Sequence, residues 1–213
     1  MATIAAVGLA YHKYGGHCGL YYENRDGKIE LLHLVWHNKL RSEPPSAFYE
    51  DIDSRFPRRE RFVISDLSRL IFEKYESEGL RFAVTRNDGF LPNGRLKLDE
   101  PGTGFSCATF VKAIFDAAGL PLIDSKTWPV ADNADRKWFA SHVDAMGRSF
   151  PAARDQDHIS RLDVACKWSR YRPEQVAFAA KIAPPAAKYS AVKIPAELLL
   201  REVMRHHEPL PLP

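Results

Sequence analysis

Three residues far apart in the chain, Cys107, His17 and His33, could together do nucleophilic chemistry. The nucleophilic form of cysteine is the thiolate. An imidazole that takes the thiol proton, itself oriented by a third group, is the arrangement that turns a cysteine on a carbonyl carbon. Cys107 stands in Gly102-Thr103-Gly104-Phe105-Ser106-Cys107-Ala108-Thr109-Phe110-Val111, a Gly-rich approach that runs into an apolar pattern. Phe110, Val111, Ile114, Phe115 and Ala118 recur at helical spacing, and Gly119 followed by Pro121 supplies a stop. The spacing therefore predicts a helix over 106–118, with a broad face buried in the middle of the fold. The first N–H groups of a helix have no partner inside it, and its dipole is positive there. A thiolate at Cys107 is stabilised by both, so that the ordinary thiol pKa of about 8.5 falls. The same N–H groups could hold an oxyanion. Gly104 would let a substrate backbone come close. Ser106 and Tyr14 are further candidate substrate contacts, with Tyr11 beside Tyr14 as a possible oxyanion donor. The competing reading is that Cys107 is a small core residue, as free cysteines often are.

Elements on both sides must bring the imidazoles to this helix. Residues 3–10 read as a short buried strand and 11–16 as a polar turn. His17 to Glu23 reads as a second strand, and Asn24-Arg25-Asp26-Gly27 is a strong hairpin signal. The chain then returns as a third strand over 28–37. Side chains alternate along a strand, so His33 shares a face with His37, and either could be the third residue. By the same alternation His17 and Cys18 point to opposite faces, which leaves Cys18 a packing role. Residues 46–52 read as a helical turn and Arg61 to Ile64 as a strand. Ser65 reads as the N-cap of a helix that ends at Gly79, and 80–85 as another strand. Residues 87–104 form a long Gly-, Pro- and Asn-rich loop that delivers the chain to Cys107. After Asp124 the pattern becomes helical, over 132–146, 157–168, 173–182 and 195–206. The fold expected is α+β, with a mixed core over 1–124 and a helical extension over 125–213.

Composition bounds the function. The 213 residues are enough for one generous domain or a domain with an extension, and 45% hydrophobic residues allow a real core. A formal net charge of +3 is too small to imply nucleic acid. No apolar run is long enough to cross a membrane, and the start lacks the basic segment of a signal peptide. Three sparse cysteines, Cys18, Cys107 and Cys166, fit a reducing compartment and not a disulfide framework. A cytoplasmic setting is expected, with room left for export by a dedicated secretion machine. No Cys-x-x-Cys or tight His/Cys cluster points to zinc, and no metal or other cofactor is expected. Lys167 to Arg172 mixes basic and aromatic residues and reads as a solvated helix end, with anion binding the alternative.

The motifs carry a resemblance. Phe105-Ser106-Cys107-Ala108-Thr109-Phe110-Val111, then Phe115, Ala118-Gly119 and Pro121, resembles the nucleophile helix of the NlpC-type papain-like cysteine peptidases. Gly16-His17-Cys18-Gly19-Leu20-Tyr21-Tyr22 resembles that family's His-x-Gly-Ile-Tyr strand. His33, on the strand after a hairpin, is placed like the family's third polar residue, with His37 as the alternative. Because His17 precedes Cys107, the order resembles the circularly permuted branch, which includes the YiiX-type enzymes and the lecithin:retinol acyltransferase-like proteins. The pattern departs where Ser106 replaces the usual Asp before the nucleophile. The resemblance spans scattered pieces of residues 1–123. It implies a papain-like half-barrel packed on the nucleophile helix, with Cys107, His17 and His33 as the site.

Three functions follow as expectations. The first is a cysteine hydrolase that cleaves an amide or isopeptide bond through an acyl-enzyme, with peptidoglycan-type peptides as the substrate class implied by the resemblance. The second is an acyltransferase or thioesterase on a lipid or acyl substrate, which calls for an apolar groove near Cys107. The third is a binding module of the same fold in which Cys107 and His17 do not meet. The helices after Asp124 could restrict access or bind a protein partner.

Overall fold

The computed structural model describes residues 3–12, 15–83, 102–162 and 168–211. Among them five strands form one antiparallel sheet, in the order β4-β3-β2-β1-β5, and six α-helices surround it. The strands are β1 Val7–His12, β2 Gly15–Glu23, β3 Ile29–Trp36, β4 Lys39–Glu43 and β5 Glu50–Ile52. The helices are α1 Arg58–Tyr75, α2 Cys107–Ala117, α3 Asn133–Ser149, α4 Ala153–Ser160, α5 Pro173–Ile182 and α6 Tyr189–His206. No described helix is long and apolar enough to cross a membrane.

Alternation sorts the sheet into two faces. Val7, Leu9, Cys18, Leu20, Tyr22, Leu32 and Leu34 face the main core, which they share with Phe110, Val111 and Ile114 of α2 and with Val176, Val192 and Val203 of α5 and α6. The other face carries a thinner cluster of Ala6, Ala10, Tyr21, Leu31 and Tyr49, partly covered by Leu210. His17 and His33 belong to this thinner side by parity, a position that matters below. A separate core under α3 and α4 joins Phe82, Phe139, Met146, Ile159 and Trp168.

Several elements differ from the sequence expectations. Arg61 to Ile64 is not a strand, and Ser65 caps nothing. Both lie inside α1, whose N-cap is Pro57. Ile64, Ser65, Ser68 and Ile71 are buried at helical spacing, while Phe62 and Val63 are exposed, so a short apolar run was cut by a helix face. Ser65 Oγ instead accepts the Glu23 N–H at 2.8 Å and ties α1 to the end of β2. Within 46–52, Tyr49 N–H bonds back to Ser46 O at 3.3 Å, and the chain then pairs with β1 as β5, where a helical turn was expected. Residues 80–83 form only an isolated parallel bridge, Phe82 to Phe105. The helix expected over 157–168 is α4, which starts earlier and ends at Ser160. The one expected from Pro195 starts at Tyr189 and carries Pro195 inside it. The long loop over 87–104 falls almost wholly outside the described residues.

The junction before α2 is held by backbone. Phe105 N–H bonds to Arg81 O at 2.9 Å, and Ala83 N–H bonds to Phe105 O at 3.1 Å. A Cβ at Gly104 would lie 2.3 Å from Arg81 O and 2.8 Å from Arg81 C. The absent side chain at Gly104 is therefore what lets the two backbones touch. Gly104→Ala must push them apart and is expected to cost about 3 kcal/mol of stability. Denaturant unfolding of the variant checks this, and an unchanged midpoint would contradict it.

Two buried histidines brace the same junction. His37 Nδ1 accepts Phe82 N–H at 3.2 Å, and His37 Nε2 lies 3.2 Å from Asp155 Oδ1. His158 Nε2 donates to Phe82 O at 2.9 Å, and its Nδ1 accepts Gly102 N–H at 3.0 Å. The two rings stack 5.0 Å apart. Because both Nδ1 atoms accept, a proton there breaks a backbone bond. Burial lowers the pKa of His37 and pushes His158 down to about 4. Their folded values lie below the unfolded value near 6.5, so their contribution is complete above about pH 6.5 and is lost as pH falls toward about 4. His158 alone is expected to remove about 2 kcal/mol between pH 7 and pH 5. Thermal melts across that range check it. In His158→Gln, where nothing titrates, that part of the slope should vanish.

Candidate active site

Cys107 is the first residue of α2, as the periodicity predicts. Ser106 is the N-cap, and its Oγ accepts Thr109 N–H at 3.2 Å while Ser106 N–H bonds to Thr109 Oγ1 at 2.7 Å. This reciprocal capping box fixes the direction in which the helix starts. Cys107 is half-buried and Cys18 fully buried, and both are free thiols.

A gap in the sheet lets the imidazole reach the sulfur. Pairing between β2 and β3 runs from Glu23–Ile29 to Leu20–Leu32 and goes no further. The first half of β2 continues alone with β1, with His17 opposite Ala10. Beyond Leu32, β3 pairs only with β4, through a register shift between Leu34 and Trp36. The two strands thus separate where Cys107 approaches, and a cleft of about 70 Å³ lies between Gly16 and His17 on one side and Leu34 to Trp36 on the other. Ser106 and Cys107 line it, and Trp138, His142, Arg170 and Tyr171 close it from the C-terminal half.

The Cys107 thiol is held well below its ordinary pKa. The largest cause is a hydrogen bond from the Cys18 side chain. The charge of His17, a hydrogen bond to the His17 ring and one from the Cys18 backbone add to it, while burial opposes. The Cys18 thiol moves the other way, pushed up by burial and by Cys107. Of two adjacent thiols, the one at the helix N-terminus beside an imidazole is the more acidic.

Behind His17 lies a chain of polar contacts. His17 Nε2 is 2.9 Å from His33 Nδ1. Tyr49 Oη lies 3.2 Å from the same Nδ1, and His33 Nε2 lies 3.5 Å from Glu43 Oε2. Glu43 is held down to about 2, first by the His33 imidazole 3.5 Å away. Burial lowers the pKa of His33. A Cβ at Gly19 would sit 2.8 Å from His33 Cβ, so that glycine leaves the room His33 occupies.

Of the two candidates for the third position, His33 is the one within 2.9 Å of the His17 ring. His37, the alternative, is committed to Phe82 and Asp155. Gly104 is filled by the Arg81 backbone, whereas Ser106 both caps α2 and lines the cleft. Tyr14 and Cys166 lie outside the described residues. Tyr11 Oη donates to His207 O at 3.1 Å. Sequence reading missed Glu43, Tyr49 and the contact of Cys18 with Cys107. Only the last had a signal: if His17 and Cys18 face opposite ways, Cys18 is the one that faces the helix. Among the described residues no three His, Cys, Asp or Glu side chains are grouped to hold a metal ion.

Comparison with protein-family models, with curated proteins and with solved structures gave no match.

Proposed function

We propose that the chain is a cysteine hydrolase of permuted papain-like organisation that cleaves an amide or isopeptide bond through an acyl-enzyme. The observation that carries this reading is the contact of the Cys107 thiol with His17, whose Nε2 is in turn 2.9 Å from His33. With Nε2 engaged, Nδ1 is the His17 nitrogen left for the sulfur. Cys107 attacks the carbonyl carbon, and its proton passes to His17. The carbonyl oxygen becomes an oxyanion beside the N–H groups of Cys107 and Ala108, which begin α2 and have no acceptor within it. His17 returns the proton to the leaving amine, and water then releases the acyl group.

A second reading is supported by the cleft walls. Leu34, Trp36, Phe82, Trp138 and Tyr171 make them largely apolar. Transfer of an acyl group to an amine or alcohol, or thioester hydrolysis, would use the same residues with such a lining. Both readings need an activated thiol.

The test is limited labelling with iodoacetamide across pH, read by mass spectrometry at each cysteine. Cys107 should react well below pH 8 and ahead of Cys18. Equal reaction of both, or reaction of Cys107 only in unfolded protein, would favour a binding module of the same fold. Incubating the labelled acyl-enzyme formed from an activated ester with amines then separates hydrolysis from transfer.

A further inference from the structure

The cleft holds charged and titratable groups beyond those the mechanism uses. Its described walls hold one permanent cation, Arg170, and the three histidines His12, His17 and His142, and no carboxylate. Arg170 is fixed in place. Its Cζ sits 3.6 Å over the Trp138 ring, and its Nη1 donates to Asp135 Oδ1 at 2.9 Å. Its side chain is only 15% exposed. Asp135 lies behind the wall and is shared: Arg172 Nη2 reaches the same oxygen at 3.1 Å. One carboxylate oxygen thus takes donors from two guanidiniums, so Asp135 occupies only part of the donor fork of Arg170. The other nearby carboxyl, Glu174, is buried at the start of α5 behind Gly16, where burial raises its pKa and the charges of Arg172 and Arg170 oppose that rise. Trp138 adds an indole Nε1–H that is buried without a hydrogen-bond partner among the described residues. The same ring lines the cleft.

An arginine held flat on an indole keeps the rest of its donor fork oriented at little entropic cost, and that fork matches a carboxylate. In a cleft with apolar walls such a charge is poorly screened. We infer that the site takes acyl or peptide substrates bearing a carboxylate close to the scissile carbonyl, with Arg170 as the group that recognises it. This inference rests on the reading of Cys107 as the nucleophile and adds the class of substrate.

Two reagents of nearly equal size test it, because both alkylate sulfur and only one is an anion. Cys107 in the intact protein is treated with iodoacetate and with iodoacetamide, and each rate is divided by that of a free cysteine peptide. The normalised ratio should favour iodoacetate by about tenfold in the wild-type protein. It should fall only in part as salt rises from about 20 mM to about 500 mM, because a largely buried charge is screened less than an exposed one. Arg170→Gln should lower the iodoacetate rate about tenfold more than the iodoacetamide rate. Arg172→Gln removes an equal charge outside the cleft and should leave the ratio within about twofold. Asp135 keeps one guanidinium in either variant, and circular dichroism shows whether each has folded. Should Arg170→Gln not fold, the ratio and its salt dependence in the wild-type protein decide. Fast iodoacetamide labelling below pH 8 with no preference for iodoacetate would leave the nucleophile standing and overturn the anion site. Equal loss in both arginine variants would also overturn it, since the effect would then be a diffuse field. A Cys107 inert to both reagents would remove the nucleophile and this inference with it.

Discussion

His17→Ala is expected to slow alkylation of Cys107 at pH 6 by about 20-fold. In the wild-type protein the thiol is held well below its ordinary pKa, which raises its thiolate fraction at that pH. Without the imidazole the thiol loses the charge and hydrogen bond of His17 but keeps the hydrogen bonds from Cys18, so its pKa rises part of the way toward about 8.5 and the reactive fraction falls. The more basic thiolate is intrinsically more nucleophilic, which recovers part of the loss. Turnover of any acyl substrate should fall further, by about 1,000-fold, because the same ring also delivers the proton to the leaving group. Cys18→Ala separates the two influences on the sulfur. It removes a neutral hydrogen bond and should shift the alkylation profile upward while keeping a sigmoid below pH 8. If Cys18→Ala erased the low-pH reactivity and His17→Ala did not, the neighbouring thiol and not the imidazole would hold the charge, and the hydrolase reading would lose its base.

How much of this was legible follows from where the information sits in the chain. The α2 pattern is local and strong: Ser106 caps, Phe110, Val111 and Ile114 bury, and the helix ends as read. The β2–β3 hairpin is equally local, with Asn24 and Gly27 at its turn, and Gly27 in the left-handed region at φ +73°. α5 coincides with its reading because Pro173 opens it and its buried alanines repeat at helical spacing. What failed was edge structure. β4, Lys39-Leu40-Arg41-Ser42-Glu43, has one face to solvent and no second neighbour, so it is a polar strand with no apolar alternation to betray it. Glu43 was lost with it. Tyr49 was lost because it stands just before β5, which is three residues long and exists only by pairing with β1. Both missed contacts to His33 therefore come from elements fixed by tertiary pairing and not by their own sequence. The same reason hid the cleft wall: Trp138 and Arg170 meet across 32 residues, and nothing periodic links them.

The second large effect concerns His33 and what stands behind it. An imidazolium at His17 has two donors, one for the thiolate and one for His33 Nδ1 at 2.9 Å. That bond requires His33 to be neutral with its proton on Nε2, because a proton on Nδ1 would oppose the one on His17. Burial keeps His33 neutral, and Glu43 Oε2, 3.5 Å from Nε2, selects the tautomer, since a carboxylate only accepts. Glu43 and His33 are positioning residues here: they decide which His17 nitrogen faces the sulfur. His33→Ala leaves the second donor of His17 without its acceptor and should lower turnover about 100-fold, with a smaller effect on alkylation. Glu43→Gln should lower turnover about tenfold, because an amide can donate as well as accept and no longer fixes the ring. A merely structural role predicts loss of stability with unchanged protonation. Imidazole ¹⁵N spectra distinguish the two, since the wild-type protein should show His33 protonated at Nε2 and Glu43→Gln should show a mixture. A His33 found protonated at Nδ1 in the wild-type protein would reverse the direction of the chain, and with it the assignment of His17 as the base.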